Sequence, residues 1–136
     1  MSGGLRVLLA DDHKAFLERV EKLLDGDFEV VGEVNNGQAL LTKAQELSPD
    51  VAVVDIDMPV LDGIEAVRQI RKLGSQTKVV FLTVHEDPDM MSLCFQAGGL
   101  GYVIKSRLAS DLIPAIRLAS TNQTFVSSPS LPGLGG

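Results

Sequence analysis

Cysteine, basic charge and long apolar runs are all scarce in this chain, and each shortage removes a class of protein. The one cysteine, Cys94, cannot close an internal disulfide. It sits between Leu93 and Phe95 in a helical pattern, which reads as a buried structural thiol rather than a nucleophile. Twelve basic residues stand against 18 acidic ones, a net charge of −6, so this segment has no nucleic-acid-binding face of its own. No apolar run approaches the ~20 residues of a membrane span, and the first residues lack the apolar core of a signal peptide. A cytoplasmic protein without membrane contact is the expectation. No repeat longer than a single strand–helix unit is visible.

What remains is the composition of one ordinary globular domain: 136 residues, 45% hydrophobic and 22% charged. Short apolar runs alternate with helical periodicity along nearly the whole length. The predicted strands are Leu5–Ala10, Phe28–Val34, Val51–Asp55, Lys78–Thr83 and Gly101–Lys105. Between them, apolar residues recur at helical spacing over His13–Leu24, Asn36–Leu47, Ile64–Leu73 and from Asp87-Pro88 to about Ala97. A last helix is predicted over Asp111–Ser120, with Ser110 as its N-cap so that Pro114 falls in the first turn. Strands that are apolar throughout, alternating with helices, predict an α/β fold: a doubly wound parallel sheet covered on both faces.

In such a sheet the carboxyl ends of all strands share one edge, where ligands collect. Four of the predicted strands end in reactive groups: Asp11 and Asp12, then Asp55, Thr83 and Lys105. Converging carboxylates repel and raise one another's pKa unless a cation joins them. Mg²⁺ suits such a site, because it takes oxygen ligands and keeps several waters. Asp55 can then act as a nucleophile toward phosphorus, forming an aspartyl-phosphate, with Lys105 pairing a phosphoryl oxygen and Thr83 donating a hydrogen bond. Singly, each residue has a plainer explanation as a cap, a turn former or a solvated charge. Jointly they are the parts of a metal-assisted phosphoryl site.

Over about residues 5–120 the chain resembles the receiver domain of two-component response regulators. The residues that carry the likeness are Asp11-Asp12, Asp55-x-x-Met58-Pro59 with Asp62-Gly63, Thr83, and Gly101-Tyr102-Val103-Ile104-Lys105. The resemblance implies a single flavodoxin-like (βα)5 domain with strand order 2-1-3-4-5. It implies that Asp55 accepts a phosphoryl group from the phosphohistidine of a sensor histidine kinase. Mg²⁺ would be bound by Asp12 and Asp55, by the Asp57 backbone carbonyl, and by Asp11 directly or through water. Thr83 and Tyr102 correspond to a switch pair and Lys105 to the phosphate partner. Such a domain is a signalling switch, with self-catalysed phosphotransfer and slow autodephosphorylation, rather than an enzyme. When Thr83 is drawn toward the phosphoryl group, Tyr102 would fill the space it leaves and repack the face of the fourth helix, fifth strand and fifth helix. Phosphorylation can then drive homodimerisation.

Asp11-Asp12-His13, Leu82-Thr83-Val84-His85 and Thr124-Phe125-Val126-Ser127 resemble the NarL/LuxR-like subclass, whose members carry a helix-turn-helix DNA-binding domain after a linker. The expected organisation is a disordered 1–4, a receiver domain over 5–122, and a linker or tail over 123–136 toward an output domain absent from this chain. From Ser127 on, the composition predicts no fixed structure. Two positions depart from the family's pattern. Ser106 follows Lys105 where many receivers have proline with a preceding cis peptide, and Val84 is larger than the common alanine, which predicts slower access of water to the site.

Two other readings compete. Asp55-Ile56-Asp57 satisfies the Asp-x-Asp core of haloacid-dehalogenase-like phosphatases, but here it follows the third strand and Pro59 replaces the expected Thr or Val. An inert interaction module would have no need of the full set of reactive residues. His13 and His85, without a nearby cysteine, make a poor zinc site; His13 is expected at the start of the first helix, where it biases the electrostatics of the acidic cluster.

Overall fold

Residues 4–128 are described by the computed structural model. All but Gly4 of the expected disordered N-terminus, and the tail from 129 on, lie outside them. Strands β1 (Arg6–Ala10), β2 (Glu29–Val34), β3 (Val51–Asp55), β4 (Lys78–Thr83), β5 (Gly101–Ile104) and β6 (Phe125–Val126) alternate with five helices. These are α1 (Lys14–Leu24), α2 (Gly37–Leu47), α3 (Gly63–Lys72), α4 (Pro88–Gln96) and α5 (Leu108–Ser120). The sheet is parallel, in the order β2–β1–β3–β4–β5–β6.

Period-two alternation of side chains sorts the buried strand residues onto two faces. Leu8, Ala52, Val54, Val79 and Phe81 pack with Leu40 of α2, Val67 and Ile70 of α3 and Cys94 of α4. Val7, Leu9, Val51, Val53, Val80 and Leu82 pack with Leu17 and Val20 of α1 and Leu112 and Ile116 of α5. Both faces of β3 are covered, and all five of its residues are buried. That is why its sequence is apolar throughout until Asp55. Cys94 is buried as expected, and burial pushes its thiol up to about 12, so it stays protonated.

Side chains cap α2, α3 and α4, whereas α1 and α5 have no side-chain cap. Asn36 accepts from the Ala39 amide (2.8 Å), Asp62 from Glu65 (2.9 Å) and Asp87 from Met90 (2.8 Å), with Pro88 in the first turn of α4. Each cap sets where the loop from the preceding strand ends. The loop before α3 contains a strained turn. Val60 has φ +70°, and the Leu61 amide donates back to the Pro59 carbonyl (2.7 Å), a three-residue turn of the rare hand.

Two expectations about the C-terminal part are corrected. Helix α5 starts at Leu108, straight after a 3-10 turn over Lys105–Arg107, so Ser110 is not its N-cap and Pro114 lies inside it. The helix tolerates this because Ser110 and Pro114 both face solvent, where water can take the carbonyl that Pro114 leaves unbonded. The sheet also continues past residue 122. The Phe125 amide donates to Leu100 O (3.0 Å) and the Ser127 amide to Tyr102 O (2.8 Å). Ser127, read from composition as part of an unstructured tail, is buried. Its hydroxyl donates to Asp111 Oδ2 (2.6 Å) and accepts from the Ile104 amide (3.1 Å). No described peptide bond is cis, that after Lys105 included.

Gly63 marks the closest approach of α3 to the end of β3. A Cβ there would collide with the Asp55 carbonyl oxygen and come within 2.8 Å of a Val54 methyl. Gly63→Ala is expected to cost about 1–3 kcal/mol, the range for overpacking a tight site. A lowered urea midpoint would show it, and an unchanged midpoint would mean that the helix start moves freely.

Candidate functional site

The carboxyl ends of β1, β3 and β5 bring Asp11, Asp12, Asp55 and Lys105 together. Asp11 and Asp55 are only 1% and 2% exposed, while Asp12 reaches toward solvent. The Lys105 ammonium lies 2.9 Å from Asp11 Oδ2 and 3.4 Å from Asp55 Oδ2, and 4.5 Å from the centroid of the Phe16 ring. Its hydrogen bond goes to Asp11. Asp55 Oδ1 accepts from the Asp57 amide (3.3 Å), but Asp55 Oδ2 is buried with no hydrogen-bond partner, only the Coulomb attraction of the ammonium.

A buried, unpartnered acceptor is costly in a native protein and calls for a reason. Burial first, and the Asp11 carboxylate second, raise the Asp55 pKa to about 6 against the pull of Lys105. The donor set answers the question of a cation directly. Ligand atoms of Asp11, Asp12, His13 and Asp55 all lie within 4.8 Å of one another, close enough to share one ion. Three carboxylates, one of them carrying the orphaned oxygen, fit an oxygen-seeking divalent cation.

Thr83 closes β4, fully buried, and its hydroxyl accepts from the His85 amide (2.9 Å). Tyr102, expected to fill the space that Thr83 leaves, is buried. Its hydroxyl donates to the His85 carbonyl (2.7 Å), and burial raises the phenol to about 12. Val84, which follows Thr83, is 65% exposed.

Two features were not expected. His85 Nε2 meets Asp57 Oδ2 at 2.8 Å, so the Asp57 side chain tethers the loop after β3 to the loop after β4. The pairing had a signal in the sequence: each residue lies two positions past a reactive strand end, and β3 and β4 are neighbours. The second is His13. Its ring Nδ1 stands 3.1 Å from Asp11 Oδ1 and 3.2 Å from Asp12 Oδ1, in the cluster rather than beside it.

Residues 7–117 match the family model described as the response regulator receiver domain. The transcriptional regulatory protein LiaR of Bacillus subtilis is 38% identical over 126 residues, covering 91% of this chain and 60% of LiaR. Response regulator GacA of Pseudomonas viridiflava is 36% identical over 90% of this chain and 58% of its own length. A two-component response regulator of the LuxR family from Aurantimonas sp. superposes with TM-score 0.87 at 29% identity, over 93% of this chain and 91% of that one. The signal receiver domain of NarL from Mycobacterium tuberculosis does so with TM-score 0.77 at 29% identity, over 85% of this chain and 98% of that one. The chain belongs to the response regulator receiver domain family. It spans about 60% of the length of these curated relatives.

The raised Asp55 pKa has a consequence for stability, because the folded state holds that proton more tightly than the unfolded chain. Ionised Asp55 therefore destabilises the fold fully above pH ~6 and not at all below pH ~4. The rise from the ordinary 3.8 to about 6 corresponds to roughly 3 kcal/mol. Asp55→Asn is expected to be more stable than the parent at pH 7.5 by up to that amount, with the gain vanishing at the acid end of a urea-denaturation pH series. A gain independent of pH would contradict this origin.

Proposed function

We propose that Asp55 is the phosphoacceptor of a phosphorelay, taking the phosphoryl group from a phosphohistidine on a sensor histidine kinase. The observation that carries this reading is the buried Asp55 Oδ2, which no hydrogen bond occupies and which faces an ammonium 3.4 Å away. An Asp55 carboxylate oxygen attacks phosphorus in line, the P–N bond breaks, and its electron pair returns to the donor imidazole, which takes up a proton. Lys105 exchanges its hydrogen bond with Asp11 for one with a phosphoryl oxygen. Asp12, Asp55, the Asp57 carbonyl and Asp11 would hold Mg²⁺, which neutralises phosphoryl charge when bound. The Thr83 hydroxyl turns from the His85 amide to another phosphoryl oxygen. Loss of that bond loosens the loop whose carbonyl holds Tyr102.

On this reading the chain is a switch that catalyses its own phosphotransfer and loses the group slowly, in the cytoplasm, with no membrane contact. The receiver unit is taken to include β6, which pairs with β5, and the residues after it to lead toward an output domain. DNA binding, by a helix-turn-helix domain, belongs to residues outside this chain. The relatives described as transcriptional regulators support that output. Homodimerisation accompanies phosphorylation.

With acetyl phosphate and Mg²⁺, the intact mass is expected to rise by one phosphoryl group in the parent and in Thr83→Ala, but not in Asp55→Ala. Thr83→Ala is expected to gain the phosphoryl group without dimerising. No mass gain in the parent would refute the reading, and rapid phosphate release without accumulation would point to a phosphatase. Exposed Val84 stands next to Thr83, and Val84→Ala is expected to shorten the lifetime of the phosphorylated form. An unchanged lifetime would remove Val84 from the control of water access.

A further inference from the structure

We propose that His13 supplies a nitrogen ligand to this cation site, so that the site takes a borderline divalent cation such as Zn²⁺ with a contribution that Mg²⁺ cannot use. The inference rests on the reading that Asp11, Asp12 and Asp55 hold a divalent cation. Three observations carry it. His13 is the N-cap residue of α1, yet its side chain makes no capping hydrogen bond to the helix. Its ring is turned instead toward the carboxylates, with Nδ1 3.1 Å from Asp11 Oδ1 and 3.2 Å from Asp12 Oδ1. A ring nitrogen of His13 and one oxygen from each of Asp11, Asp12 and Asp55 lie within 4.8 Å of one another. Asp55 brings a carboxylate that is 2% exposed and whose Oδ2 has no hydrogen-bond partner, which points to a ligand rather than to a self-sufficient acidic cluster.

The backbone helps to set this arrangement. The His13 amide donates to Asp11 Oδ1 (2.8 Å), closing a tight turn that keeps the imidazole over the first carboxylate. The side chain is 67% exposed, so it can swing by the fraction of an ångström that ligation needs without disturbing the core. Imidazole nitrogen favours zinc, nickel and copper, whereas Mg²⁺ strongly prefers oxygen. A site of three carboxylates alone offers only hard oxygen ligands, which suit Mg²⁺. Adding Nδ1 gives one class of cation an extra bond and leaves the other with an idle neighbour. His85, the other histidine, is engaged with Asp57 and does not belong to the cluster.

The test is calorimetric titration of the full chain with Zn²⁺ and with Mg²⁺, for the parent, His13→Ala, His85→Ala and Asp55→Asn. It is joined to ¹⁵N NMR of the imidazole rings as Zn²⁺ is added. The expected result is a loss of about ten-fold or more in Zn²⁺ affinity for His13→Ala, the scale on which metal sites respond to a lost supporting residue. Mg²⁺ affinity should be unchanged in that variant, both affinities retained in His85→Ala, and His13 Nδ1 shifted on Zn²⁺ binding in the parent. Equal losses of Zn²⁺ and Mg²⁺ in His13→Ala, or no loss of either, would overturn the assignment of His13 while leaving the carboxylate site intact. Cation binding that survives Asp55→Asn unaltered, or no binding at all, would overturn the underlying site as well.

Discussion

The ion pair between Lys105 and Asp11 is the interaction on which the site depends. A parallel sheet delivers three strand ends to one edge, and here they carry two buried carboxylates, a third near solvent, and a single ammonium. Lys105 hydrogen-bonds Asp11 at 2.9 Å and leaves Asp55 Oδ2 at 3.4 Å, attracted but unbonded. The ammonium thus lowers the cost of burying both charges without satisfying the second. The residual cost appears as the raised pKa of Asp55, and it is relieved by whatever brings positive charge or a covalent bond to that oxygen. Reactivity and instability share one origin in this pocket.

The surroundings of the pocket are joined by hydrogen bonds that run outward along the sheet. The Thr83 hydroxyl accepts from the His85 amide, the His85 carbonyl accepts from the Tyr102 hydroxyl, and the Tyr102 carbonyl accepts from the Ser127 amide. Ser127 in turn holds the Ile104 amide, one residue before Lys105, and Asp111 of α5. Ser110 and Arg107 also bind Asp111, and these hydrogen bonds hold its carboxyl below the usual range despite burial. β5 is therefore pinned at both its Lys105 end and its pairing with β6, and Ser127 lies beside the strand end that carries the Lys105 contact to Asp55.

Much of this is legible in the residues alone. Strands covered on both faces read as unbroken apolar runs, so Asp55, Thr83 and Lys105 stand out as the polar residues that end them. Asp62 and Asp87 show helix starts through their capping positions. The start of α5 is hidden because Pro114 normally belongs to a first turn, and nothing local says that its missing hydrogen bond falls on the solvent side. β6 escapes because two residues carry no periodicity, and their pairing depends on the edge of β5 rather than on their own composition. The inward Tyr102 and the His85–Asp57 contact depend on how two loops lean together, which spacing along the chain constrains only weakly.

On the proposed function, Asp55 is a buried carboxylate held short of a partner until a cation or a phosphoryl group arrives. The most direct measurement is an NMR titration of the Asp55 carboxyl carbon, with and without saturating Mg²⁺. A midpoint near 6 is expected in the absence of the cation, with a clear drop when it is present. An ordinary carboxylate midpoint near 3.8 that does not respond to Mg²⁺ would contradict it.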